Sequence, residues 1–154
     1  MSTVNNHSNE NKAINLGKEF SLAIIMFHQS VAEKVGLNIT DYKVLGIIPL
    51  EGITAGQIAS KTDLSTGMVT TVVDRLEKKD FVYRERDTED RRKVIIMANF
   101  EKVGSELEPL FQSFGHEMGK LVTDYSPEET ELINDYIKRS TEVFKQETKK
   151  LKQK

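Results

Sequence analysis

The sequence predicts a mainly α-helical fold that carries one small β-hairpin. Three observations support that expectation. Apolar residues recur at steps of three and four over long stretches near both ends of the chain. Between those stretches lie two short helical patterns joined by a tight turn, the second the longer. Directly after them the period changes: Phe81 to Arg86 and Lys93 to Ala98 are short β-prone runs separated by polar residues.

Taken in order, residues 1–12 are rich in Asn and Ser and nearly free of apolar side chains, which reads as a disordered tail. Leu16, Phe20, Ala23, Ile24, Phe27 and Val31 then form one stripe of a helix over residues 13–35, which Gly36 stops. Thr40 is expected to cap a shorter helix with Tyr42, Leu45 and Ile48 inward, ending near Pro49 and a turn at Glu51-Gly52. Thr54 and Gln57 fit a capping box that opens a helix over 55–61, with Ile58 and Ala59 inward. Asp63 and Leu64 make the turn. Ser65 caps the next helix, whose apolar face is Met68, Val69, Val72, Val73 and Leu76 and which ends near Lys79. A hairpin placed straight after a helix-turn-helix is a wing, so residues 40–98 read as a winged helix-turn-helix.

Two long helical patterns complete the chain. Phe100, Val103, Leu107, Leu110, Phe114, Met118, Leu121 and Tyr125 keep a near-heptad stripe, in which Pro109 implies a kink or a late start. Ser126, Pro127 and Glu129 form a strong helix start. The last helix carries Leu132, Ile133, Tyr136, Ile137, Val143 and Phe144, then runs into the lysine-rich residues 145–154, expected to be a solvated end. The apolar stripes at 13–35 and 100–150 exceed what a monomer of this layout needs to cover, so a two-fold homodimer is expected. With no repeat and no long linker, residues 1–154 read as one domain.

Composition narrows the function classes. A hydrophobic fraction of 38% with 30% charged residues is globular. The absence of cysteine removes disulfides, thiolate metal sites and thiol redox sensing. No stretch resembles a signal peptide or the ~20 apolar residues of a membrane span, so a soluble cytoplasmic chain with no membrane partner is expected. Of the three histidines, His7 lies in the tail and His28 and His116 lack metal-ligand spacing. There is no phosphate-cradling glycine loop and no nucleophile elbow, so neither an enzyme nor a metal or cofactor site is expected.

A nucleic-acid surface is the remaining candidate. On the helix opened by Ser65, a helical wheel puts Gly67, Thr70, Thr71, Asp74 and Lys78 opposite the apolar face. Ser65, Thr66, Thr70 and Thr71 supply short hydroxyls and methyls that suit phosphates and base edges, and no acid occurs between Leu64 and Val73. Gly67 is costly in a helix, by roughly 1 kcal/mol relative to Ala, and suits close approach of a phosphate. From Asp74 to Lys93 eight basic residues meet seven acidic ones, so the signal is clustering rather than net charge. Arg91, Arg92 and Lys93 are consecutive at a loop tip, where a guanidinium suits a narrow minor groove. The formal net charge of −2 favours the alternative, a winged helix that contacts a partner protein.

The run Asp74-Arg75-Leu76-Glu77-Lys78-Lys79, then Phe81-Val82-Tyr83-Arg84-Glu85-Arg86-Asp87, then Asp90-Arg91-Arg92-Lys93-Val94 resembles the multiple-antibiotic-resistance regulator (MarR) family. The resemblance in element order covers residues 13–149, and its specific part is 53–96. It implies a homodimer knitted by the N-terminal and two C-terminal helices, binding double-stranded DNA as a transcriptional regulator, usually a repressor. It implies a near-palindromic operator and often release by a small-molecule effector. By position, Ser65, Thr66, Gly67, Met68, Thr70 and Thr71 would face the major groove, with Arg75 at the DNA-proximal edge. Arg86, Asp90, Arg91, Arg92 and Lys93 would belong to the wing. Two departures stand out: Asp80 where most members have Gly, and Met97-Ala98-Asn99-Phe100 where many have a Leu-Thr pair and a nearby Gly. Lack of cysteine excludes the peroxide-sensing branch, and the histidine placement does not support a metal-sensing one.

Overall fold

The computed structural model describes the backbone of residues 2–152 and the side chains from Asn11 onward, apart from Ala13. These residues fall into two compact units, Met1–Leu110 and Phe111–Lys154. Among the described residues no helix is long and apolar enough to cross a membrane.

The first unit opens with α1 (Ser2–Lys34). Residues 1–12 were expected as a disordered tail, yet α1 is helical from Ser2, and no Gly or Pro interrupts residues 2–16. Met1, the side chain of His7 and Lys154 lie outside the described residues. Gly36 ends α1 at φ +68, with Leu37 N–H donating to Ala32 O (2.8 Å) and Gly36 N–H to Glu33 O (3.0 Å). The short α2 (Ile39–Leu45) is capped by Asn38 rather than Thr40. Asn38 Oδ1 accepts from Asp41 N–H at 2.8 Å, and the earlier start at Asn38 leaves Thr40 inside the first turn. Gly52, at φ +78, closes the following turn in a backbone conformation that strains any other residue, and a Cβ there would also push on the Met97 and Ile95 side chains.

β1 (Ile53–Thr54) leads into α3 (Ala55–Thr62), whose Thr54–Gln57 capping box is present in full. Asp63 stops α3 in the left-handed region, and Ser65 caps α4 (Thr66–Lys78) by accepting from Met68 N–H at 3.3 Å. Asp80 takes the left-handed position that glycine usually fills at such a stop. At φ +61 its N–H donates to Glu77 O (3.0 Å), while Phe81 N–H reaches Leu76 O (3.0 Å) and the Phe81 ring is buried. β2 (Val82–Arg86) and β3 (Val94–Ala98) form the hairpin, with Val82 opposite Ala98 and Arg86 opposite Val94. The sheet has a third strand that the sequence reading did not include: β1 pairs antiparallel with the other edge of β3, Ile53 opposite Ile96.

The core of this unit gathers Val44 and Leu45 of α2, Ile58 of α3, Val69, Val72, Val73 and Leu76 of α4, then Phe81, Val82 and Ile96. α4 therefore buries one stripe at helical spacing and leaves its opposite face to solvent. Met68 was expected on the apolar face but is exposed, because the helical turn per residue puts it at the solvent edge of the stripe of Val69, Val72, Val73 and Leu76. Asn99 makes the junction after the wing: its N–H donates to Phe81 O (2.9 Å) and its side chain accepts from Lys102 N–H (3.2 Å), capping α5 (Phe100–Thr123). α5 runs through Pro109 as one helix, so the late start is not realised.

The second unit contains the end of α5 and all of α6 (Pro127–Lys152). Ser126 and Glu129 complete the expected capping box, with Glu129 Oε2 accepting from Ser126 N–H at 2.8 Å and Ser126 Oγ from Glu129 N–H at 3.2 Å. Neither α5 nor α6 has a buried residue. Met118, Leu121, Leu132, Tyr136, Val143 and Phe144 are all exposed.

Candidate nucleic-acid interface

The outer face of α4 holds most of the residues that the sequence singles out. Ser65, Thr66, Gly67, Met68, Thr70 and Thr71 are exposed, as are Asp74, Arg75 and Lys78 beyond them. Thr70 Oγ1 donates to Thr66 O (3.1 Å) and Thr71 Oγ1 to Gly67 O (3.0 Å). Each hydroxyl proton is thus spent on the helix one turn back, leaving the oxygen lone pairs and the methyl groups to face outward. A Cβ at Gly67 would meet nothing within 4 Å, so packing does not require glycine there.

The wing loop is held by its own acids and by one arginine. Asp87 Oδ1 accepts from Glu89 and Asp90 N–H, both at 2.8 Å. The Asp90 and Glu89 amides hold the Asp87 carboxyl below the usual aspartate range. Asp90 accepts from Arg92 Nε and Arg92 N–H, each at 3.1 Å, and is likewise lowered, first by the Arg92 side chain and then by its amide. Arg86 turns back along the hairpin and donates to Arg91 O at 2.8 Å. The wing arginines therefore divide. Arg86 braces the loop, while the Arg91, Arg92 and Lys93 side chains are exposed at its tip. Arg84 of β2, counted in the sequence only as one basic residue among eight, bonds both Asp74 (2.5 Å) and Glu77 of α4 and ties the wing to that helix.

Arg75 is placed differently from the other cations. Its Nε and Nη2 donate to the two carboxylate oxygens of Asp41 on α2, at 2.9 and 2.5 Å. That bond raises the guanidinium pKa above its ordinary value. Asp41 was not foreseen. An acid in the first turn of a helix reads as a solvated dipole partner, and its real partner is 34 residues away. Nor does the sequence signal the contact of His28 Nδ1 with Tyr42 Oη (3.1 Å), which packs the end of α1 against α2. Among the described residues no group of three His, Asp or Glu is gathered that could hold a metal ion.

Comparison with known proteins follows the same lines. The sequence pattern of the MarR family matches residues 37–94, from the start of α2 to the second wing strand. The uncharacterized HTH-type transcriptional regulator YcgE of Bacillus subtilis (strain 168) is 42% identical over 118 residues, covering 73% of this chain and 77% of that protein. Among solved structures, FabT of Streptococcus pneumoniae in complex with DNA is similar with a TM-score of 0.65 at 20% identity, covering 90% of this chain and 98% of FabT. A mutant of MepR from a multidrug-resistant S. aureus clinical isolate gives 0.68 at 20% identity, covering 86% of this chain and 96% of MepR. At that identity the likeness is one of fold, and YcgE supplies the relationship in sequence. The chain belongs to the MarR family of DNA-binding helix-turn-helix transcriptional regulators.

Proposed function

We propose that the protein is a homodimeric repressor that reads a near-palindromic operator and is released by a small-molecule effector. The observation that carries the DNA part is the outer face of α4, with exposed hydroxyls and no acid from Ser65 to Thr71. With their protons committed to the helix, Thr70 and Thr71 act as acceptors toward the amino groups of cytosine or adenine in the major groove, and their methyls meet thymine methyls. Arg91 and Arg92 at the wing tip supply minor-groove and phosphate contact, and Asp90 and Arg86 hold the loop that carries them. FabT, a neighbour in fold, is bound to DNA.

Homodimerisation is supported by the second half of α5 and by α6, which expose Phe114, Met118, Leu121, Leu132, Tyr136, Val143 and Phe144 and fully bury no side chain. A pair of helices in that state is not a stable unit alone, and a two-fold partner supplies the missing core. On this reading the two units act as one regulatory domain over residues 1–154. Two related α4 helices then read half-sites about 10 bp apart, centre to centre.

Selection of bound duplexes from a random pool tests the reading. Recovery of two inverted half-sites at that spacing is expected. Recovery of no duplex overturns the DNA assignment and favours a partner protein, which the net charge of −2 suits better. Single asymmetric elements, or sedimentation as a monomer at micromolar concentration, overturn the dimer.

A further inference from the structure

The Asp41–Arg75 pair joins a buried carboxylate to a half-exposed guanidinium. Asp41 is 2% exposed, whereas the Arg75 side chain is 43% exposed. The carboxylate takes Nε and Nη2, the side-on edge of the guanidinium, and Asn38 Nδ2 donates to Asp41 Oδ2 at 3.0 Å from the other direction. A buried carboxylate without its cation is costly, so neither group is free to turn. The end-on edge of the guanidinium, which bears Nη1, is the part that faces away from Asp41. Arg75 stands one helical turn beyond Thr71, along the flank of the α4 outer face. One turn further on, Lys79 Nζ is held on Gly36 O at 2.8 Å, so a second cation on this flank is fixed as well.

We infer that Asp41 is a positioning residue for DNA binding: it presents the end-on edge of Arg75 to a backbone phosphate beside the outer face of α4. The inference rests on the DNA-binding reading above. A planar guanidinium can serve two anions through different edges, and phosphate matches the paired N–H groups of the end-on edge. Glu33 and Asp41 line the same depression as Arg75 and Lys79, so local charge alone does not draw a phosphate there. Orientation does.

This makes a prediction with a sign opposite to simple charge counting. Asp41→Asn removes a negative charge from a DNA-facing flank, which by charge alone tightens binding. Loss of positioning weakens it instead, by about tenfold for one charge-assisted contact. Arg75→Ala should weaken binding by a similar factor and flatten the salt dependence by about one unit of slope. The double variant should be no weaker than Arg75→Ala, because both act through one contact. Arg75→Lys keeps the charge but lacks the second edge, and should bind as poorly as Arg75→Ala. The assay is titration of the selected duplex with full-length protein across salt, with melting curves recorded for each variant. If Asp41→Asn melts below the assay temperature, Arg75→Lys decides. Unchanged or tighter binding by Asp41→Asn, wild-type binding by Arg75→Lys, or additive losses in the double variant overturn the inference while DNA binding by the wild type stands. If the wild-type chain binds no duplex, the functional reading falls first and the positioning role with it.

Discussion

Replacing Arg91 and Arg92 together by Ala tests how the wing works. The loop should survive the change, since Arg86 bonds Arg91 through its carbonyl, and Asp87 and Asp90 bind backbone amides that alanine keeps. What is lost within the protein is the Arg92 side-chain bond to Asp90, an exposed pair that solvent screens and that contributes little to stability. What is lost toward DNA is larger. Two cations that each neutralise one phosphate contribute about 1.8 units to the slope of log affinity against log salt. Between about 50 and 200 mM salt, a slope lower by that amount shrinks the deficit of the variant by about 12-fold. Fluorescence anisotropy on specific and scrambled duplexes at several salt concentrations reads this directly. The expected result is a deficit at low salt on both duplexes that closes as salt rises. A deficit confined to the specific duplex, or one of equal size at every salt concentration, refutes the assignment of these arginines to phosphate and groove shape.

Three further outcomes are expected. Thr71→Ala, and separately Thr70→Ala, should reduce discrimination at one base position by about 1–3 kcal/mol with the salt slope unchanged, measured against single-base operator variants. Leu76→Ala removes a fully buried side chain from the inner face of α4 and should cost about 2–5 kcal/mol in urea unfolding; a loss under about 1 kcal/mol contradicts its place in the core. The Asp87 and Asp90 carboxyls, lowered by the loop amides and Arg92, should contribute stability that is fully present above the ordinary aspartate pKa of about 3.9 and lost as pH falls through their lowered folded values. Carboxyl carbon shifts followed by NMR during an acid titration check this, and midpoints at or above the ordinary value contradict it.

The elements that sequence reasoning located well are those whose signals are local. The α4 stripe of Val69, Val72, Val73 and Leu76 follows helical spacing over consecutive turns, and the boxes at Thr54–Gln57 and Ser126–Glu129 span four residues each. What escaped depends on distant partners. β1 is two residues long and is a strand because β3, far along the chain, offers it a second edge. Asp41 looks solvated until α4 brings Arg75 to it. Met68 has a spacing compatible with the apolar stripe but lies at its solvent edge, beside the fully buried Val69. Cap chemistry also has a rank order that spacing does not reveal, which is how Asn38 displaced Thr40. Of the candidate site, residue types and exposure were legible on α4 and at the wing tip. The division of the arginines into Arg84 and Arg86, which brace the wing, and Arg91 and Arg92, exposed at its tip, was not, because it is decided by hydrogen bonds to α4 and within the hairpin.

Helices α5 and α6 have no buried residue of their own, and under the proposed dimer that ties the stability of this regulator to its abundance. If their core is completed by a second copy, folding and association are one equilibrium, and each tenfold fall in protein concentration removes about 1.4 kcal/mol of apparent stability. The melting temperature of such a protein rises with the amount in the tube. On that condition, newly made or scarce chains in a cell would have apolar helices open to proteases, whereas abundant chains would protect one another. A regulator built in this way has a lower limit on its own supply, below which it is cleared rather than merely diluted.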